Sequence, residues 1–146
     1  MSFLGNAMQD PERDKIRKIL KEFKVISVVG CSREPGKPSH DVPMYMKEAG
    51  YTIIPVNPFA EEILGEKAYK SLQDIKKKID VVDVFRPAKE ALEIAKAAVE
   101  VNAKVLWLQE GIFSKEAREY AEAHGLLFVE NRCMMKSKVA IDEEVE

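Results

Sequence analysis

Residues able to hold an anion cluster directly after one short apolar run. Val25–Val29 is followed by Gly30-Cys31-Ser32-Arg33-Glu34-Pro35-Gly36-Lys37-Pro38-Ser39. Residues 30–38 carry two glycines and two prolines, too broken a stretch for helix or strand. Ser39 stands where an N-cap belongs, and His40–Ala49 has helical spacing with Gly50 as its stop. A strand, a flexible turn and a helix N-terminus together make an anion site. The first N–H groups of the helix lack helical partners, and the positive end of its dipole faces the loop. The chemistry expected here is phosphate binding. Pro43 counts as N4 from Ser39, where a missing N–H costs no helical bond, so His40, Asp41 and Val42 are expected to keep free N–H groups.

Other reactive side chains are sparse. The two cysteines, Cys31 and Cys133, lie far apart and form no metal pattern, and the two histidines show no HxxxH spacing. Free thiols and no zinc are expected. Cys31 reads either as a thiolate favoured by the helix end or as a small packed thiol. His40, at the start of the helix, reads as structural or solvated, and Trp107 as core.

The elements that must position the loop follow from periodicity. Asp10-Pro11 supplies an N-cap and an N1 proline for a helix with Ile16, Ile19, Leu20 and Phe23 on one stripe. Val25–Val29 reads as a strand buried on both faces. Tyr51–Val56 is the second strand, and Pro55 inside it points to an edge position. Ile63–Tyr69 is a short excursion holding a brief third strand, and Ser71 caps a short helix to about Lys77. Val81–Phe85, Val105–Leu108 and Leu126–Val129 are strands four, five and six. Helices are expected over Ala88–Val101 and from Ser114 to His124. Alternating strands and helices give a Rossmann-like, doubly wound α/β fold with a parallel sheet. The expected order is 3-2-1-4-5 with a further strand, so the reversal falls between strands one and four. Ligands bind at such a reversal, on the carboxyl side of the strands. Gly30–Ser39 and Phe85–Ala88 then face one crevice, with Asn57-Pro58 and Gln109–Gly111 at its rim.

Bulk properties bound the partners. The 146 residues fit one domain, with residues 1–9 and 140–146 as loose tails. Charged residues make up 33% of the chain, above the usual quarter, and the many Lys and Glu lean towards a thermophilic source. A net charge of −2 gives no overall basic field for nucleic acid. No apolar run approaches a transmembrane length and the N-terminus has no signal-like core, so a cytoplasmic location without membrane contact is expected.

The phosphate ligand can be narrowed. The loop lacks GxGxxG spacing. Where an NAD site places Asp or Glu after the second strand, this chain has Asn57-Pro58, with no acid between Glu48 and Glu61. A neutral residue beside basic ones suits a ribose that already carries a phosphate, as in NADP and coenzyme A.

Several separated segments then carry a resemblance. Val29-Gly30-Cys31-Ser32, Pro38-Ser39, Gly50-Tyr51, Pro55-Val56-Asn57-Pro58, Val84-Phe85-Arg86-Pro87, Trp107-Leu-Gln-Glu-Gly111 and Asn131-Arg132-Cys133 resemble the small CoA-binding protein family. That family is similar to the N-terminal CoA-binding domain of the succinyl-CoA synthetase alpha subunit. The resemblance covers about residues 15–135 and implies coenzyme A as cofactor. It implies that Gly30, Cys31, Ser32 and Arg33 wrap the phosphates, with Ser39 capping the helix that faces them. Asn57 and Pro58 would border the adenosine. Phe85, Arg86 and Pro87 would line the nucleotide crevice, and the stretch from Gln109 to Gly111 would meet the pantetheine arm. Lys37 is either a solvated loop charge or a partner of the 3′-phosphate. Cys133 could form a mixed disulfide with the CoA thiol.

The chain stops before the synthetase's second domain, and His40 and His124 match no catalytic position, so the synthetase chemistry does not carry over. The expected function is binding of CoA or an acyl-CoA without catalytic apparatus. The rivals are an NADP-binding oxidoreductase domain, a non-catalytic subunit of an acyl-CoA ligase, and a scaffold with an empty crevice.

Overall fold

A computed structural model describes residues 10–144. Helix α1 (Pro11–Glu22) begins where Asp10 accepts hydrogen bonds from the N–H groups of Glu12 and Arg13. Five strands follow, with an α-helix after each except β2: β1 (Val25–Val29), α2 (Pro38–Glu48), β2 (Thr52–Val56), β5 (Val81–Val84), α3 (Ala91–Glu100), β6 (Val105–Leu108), α4 (Lys115–Ala123), β7 (Leu127–Val129) and α5 (Met134–Glu144). A two-residue hairpin pair, β3 (Glu62–Ile63) and β4 (Glu66–Lys67), lies between β2 and β5.

The main sheet runs β2-β1-β5-β6-β7 and is parallel throughout. This is the Rossmann-like class that the alternation predicts. The order differs in one place. The expected third strand does not join the main sheet; β3 and β4 pair only with each other, and Tyr69 alone bridges Val56. Its N–H donates to Pro55 O and its C=O accepts from Asn57 N–H, which closes the outer side of the β2 edge. Pro55 therefore sits on the edge strand of the main sheet, as its missing N–H requires.

Side chains alternate between two apolar layers. One layer packs Ile16, Ile19 and Leu20 of α1, Val42 and Met46 of α2 and Met134 of α5 against Ile26, Val28, Ile53, Val81, Val105 and Trp107. The other packs the small faces of α3 (Ala91, Ala95, Ala98) and α4 (Ala117, Ala121) against Ile54, Val56, Val82, Val84, Leu106, Leu108 and Phe128. Alanine at the contact lets both helices lie close to the sheet.

Three local expectations are corrected. Ser71 starts only a 3-10 turn, Leu72–Asp74. The segment after Arg86 opens with a 3-10 turn, Ala88–Glu90, before α3. Residues 140–144, expected as part of a loose tail, continue α5, and Glu144 bridges Arg13 and Arg17 of α1. The other expected tail residues, 1–9 and 145–146, lie outside the described segment.

Candidate functional site

The order reverses between β1 and β5, which are hydrogen-bonded neighbours while their connections run to opposite sides of the sheet. Two cavities lie side by side at the carboxyl ends of the strands. One, of about 540 Å³, is lined from β1 and its loop by Gly30, Cys31, Ser32, Arg33, Glu34 and Lys37, and from β2 by Asn57, Pro58 and Phe59. Lys70, Glu90 and Ile94 complete its far wall. The other, of about 450 Å³, is lined by Pro38, Val42, Pro87, Gln109, Ile112 and Cys133, among others. Ser39, Phe85 and Arg86 line both, so the cavities meet at the reversal. Both volumes lie in the range of small-molecule sites.

Gly30 explains how close the two loops come. Its φ is +87°, and a Cβ built on it would stand 2.8 Å from Phe85 O and 2.8 Å from Arg86 Cδ. Only glycine fits there, and the Arg86 stem lies across it.

Helix α2 does not begin as its sequence suggests. Its N-cap is Lys37, Pro38 is N1 and Ser39 is N2, so Ser39 is not the cap. His40 N–H and Asp41 N–H both turn back to Lys37 O, at 2.9 Å each. Neither is free, and Val42 lies a full turn inside the helix, where its N–H faces a helical carbonyl. Pro43 is now N6, and its missing N–H would leave Ser39 O without a helical donor. That carbonyl instead accepts from Ser32 N–H at 3.0 Å. The proline thus frees the acceptor that fastens the loop to the helix.

Most of the loop's donors are taken by the loop itself or by the elements beside it. Gly30 N–H reaches Val56 O, Glu34 N–H reaches Ser32 Oγ, Gly36 N–H reaches Asp41 Oδ1 and Lys37 N–H reaches Glu34 O. Among the described residues, the N–H groups of Cys31, Arg33 and Ser39 have no hydrogen-bond partner and belong to residues that line the first cavity.

Charge is uneven along the crevice. The first cavity carries Arg33, Lys37, Lys70 and Arg86 against Glu34 and Glu90. Lys37 pairs with Glu34 at 3.1 Å. Arg86 is gripped by Glu90 through Nε at 3.0 Å and Nη2 at 2.8 Å. That pairing lowers the Glu90 carboxyl below its ordinary range. Arg33 Nη1 donates to Phe59 O, and among the described residues neither Arg33 nor Lys70 has a carboxylate partner. The second cavity is mainly apolar, and its Glu110 is turned to Lys136 at 3.1 Å.

The positions expected to bind ligand separate into groups. Gly30, Cys31, Ser32, Arg33, Lys37, Ser39, Asn57, Pro58, Phe85, Arg86, Pro87 and Gln109 all line one cavity or both. Gly111 lines neither, and its N–H is taken by Asn131 Oδ1 at 2.7 Å. Asn57 is a brace, donating to Cys31 O at 2.9 Å and accepting from Phe59 N–H at 2.8 Å. Gln109 is another, donating to Asp83 and accepting from Met134 N–H at 3.3 Å. Burial, with the Asp83 charge adding to it, pushes the Cys31 thiol up to about 12, so it is a packed thiol. Cys133 stays 8% exposed on the wall of the apolar cavity. His40 is buried beside Asp41.

Phe59, Lys70, Glu90 and Ile94 escape the sequence reading. Lys70 sits in an irregular segment, and Glu90 looks like any charge on a helix face. Phe59 follows the Asn57-Pro58 break, a signal that could have drawn attention to it. Asp83, 1% exposed beneath the crevice, is concealed in an apolar run, and burial raises its carboxyl to about 7.

Known proteins resemble this chain in sequence and in fold. The sequence profile of the CoA binding domain matches residues 24–138. The Bacillus subtilis (strain 168) protein YneT is 40% identical over 127 residues, covering 87% of this chain and 94% of that protein. A solved structure from Pyrococcus horikoshii OT3 superposes with a TM-score of 0.85 at 41% identity, covering 88% of this chain and 90% of its own. The acetate–CoA ligase (ADP-forming) II of Archaeoglobus fulgidus is 34% identical over 101 residues, which is 68% of this chain but 15% of the ligase. The profile covers the whole span from β1 into α5, including both cavities. This chain belongs to the CoA binding domain family.

Proposed function

We propose that the chain binds coenzyme A along the crevice, with the phosphorylated nucleotide in the basic cavity and the pantetheine arm towards the apolar one. The observation that carries this reading is the division of one continuous groove into a cationic and an apolar end that meet at Arg86. Coenzyme A has the same division, with three phosphates on its nucleotide half and a long uncharged arm. The free N–H groups of Cys31, Arg33 and Ser39 suit the diphosphate. Arg33, Lys37 and Lys70 are the cations available to the 3′-phosphate. The narrow polar content of the second cavity suits the amides and methylenes of the arm better than a charged nicotinamide ribotide. In this reading the residues bind and orient; no proton or group transfer is assigned to them.

A thermal-shift panel tests it. Coenzyme A and 3′-phospho-ADP are expected to raise the melting temperature, and NADP and NAD to do so weakly. An equal or larger shift with NADP, or none with coenzyme A, overturns the reading.

A further inference from the structure

Phe59 is the most exposed large apolar residue of the described chain at 83%, and it is one of the residues lining the basic cavity. Such a ring in water gains nothing for folding. Yet its backbone is held from both sides. Its N–H donates to Asn57 Oδ1 at 2.8 Å, and its C=O accepts from Arg33 Nη1 at 3.2 Å. Asn57 is itself anchored to Cys31 O at 2.9 Å. Two loops, from the ends of β1 and β2, therefore fix the Cα of a residue whose side chain they leave bare. Restraining a surface phenyl serves a ligand that arrives later, since the folded chain offers the ring almost no contact of its own.

The neighbours define that ligand. The same cavity wall holds Pro58 and Ile94, which are apolar, and Arg33 and Lys70, which are cationic and without carboxylate partners among the described residues. A flat π-face beside unpaired cations fits a planar base attached to a phosphorylated sugar. We infer that the Phe59 ring is the platform on which a purine base stacks, with Arg33 and Lys70 meeting the phosphate on its ribose. This deepens the coenzyme A reading and rests on it for the identity of the base. It also gives a reason for the tied amide of Asn57, which positions the platform and does not read the ligand.

Binding should be measured for the wild type, F59A, F59L and F59W with coenzyme A, 3′-phospho-ADP and 4′-phosphopantetheine, which lacks the base. Loss of a base–aromatic stack predicts a roughly 10- to 100-fold weaker affinity of F59A for the two base-containing ligands. Affinity for 4′-phosphopantetheine should stay unchanged. F59W should restore binding and F59L should not, because the stack needs an aromatic face. In F59W, 3′-phospho-ADP should quench the emission that the variant adds to that of the buried Trp107. The F59A melting temperature should stay within about 2 °C of wild type, because the ring is exposed.

Wild-type affinity in F59A overturns the inference. So does equal weakening of all three ligands, which would mean that Phe59 only shapes the loop. If the wild type binds none of them, the coenzyme A reading fails, and F59W is then titrated with ADP and ATP. Quenching there keeps the base platform, and its absence removes that as well.

Discussion

Arg86 is the residue on which the crevice turns, and it is already occupied. Its guanidinium holds Glu90 through two hydrogen bonds, and both side chains remain partly open to water. A phosphate arriving at the junction of the cavities must share Arg86 with that carboxylate or displace it. The pair is of the exposed i,i+4 kind, worth about 0.2–1 kcal/mol, so displacement is inexpensive. Glu90→Gln is therefore expected to tighten coenzyme A binding by about 2- to 5-fold, by removing the competitor and its charge. Arg86→Ala should weaken it roughly 10-fold or more, with little effect on stability, because a charge-assisted bond is lost. In the Arg86→Ala background, Glu90→Gln should gain much less, since the competition is gone. Calorimetric titration of the four proteins checks this. Equal gains in both backgrounds would reduce Glu90 to a general repulsion.

At the scale of elements, the turn after β1 shows why some features were legible and others were not. The β-branched run ending at Gly30 identifies a strand and a turn, and the parallel sheet follows from its alternation with helices. The reversal beside β1 was therefore readable, and with it the convergence of Arg86, Pro87 and Asn57. Composition puts the start of α2 two residues late, because Ser39 is a better cap than Lys37. The chain instead uses Pro38 at N1 and caps α2 at Lys37 without a side-chain bond. The fate of Ser39 O depends on Ser32, a contact set by tertiary closure that no local pattern contains. The third strand failed for a similar reason. Tyr69 bonds Pro55 of β2 and Asn57 just beyond it, but no further residue continues the ladder. Gly30 gives the test at this scale. Alanine there would need a positive φ and would overlap Phe85 O and Arg86. Gly30→Ala is expected to cost about 1–3 kcal/mol of stability or more, and to disturb the ligand site as well. Denaturant unfolding measures the first effect, and an unchanged midpoint would show that the loops are not in contact.

For the whole molecule, the buried acid beneath the crevice sets a pH dependence. Asp83 is raised by burial to about 7, and its hydrogen bond from Gln109 only partly opposes this. In the unfolded chain it ionises at its ordinary value of 3.8. Between about pH 4 and 7 the folded state thus holds a proton that the unfolded state has lost. Stability from this group is complete below pH 4, falls as pH rises and is flat above pH 7, with a slope of at most about 1.4 kcal/mol per pH unit. Asp83→Asn keeps an acceptor for Gln109 and carries no charge. It should match the wild type near pH 4, exceed its stability at pH 8 and flatten the profile between. Urea unfolding across this range checks the sign, and parallel curves for the two proteins would show that Asp83 does not titrate there.

The carbonyl that Pro43 leaves for Ser32 has a consequence for how a ligand is received. The segment between β1 and α2 is stitched down by its own amides before anything arrives, so its wandering was given up when the chain folded. Docking then needs little further ordering of main chain, and free and occupied forms should superpose to within about 1 Å over residues 30–42. The seat exists before the guest.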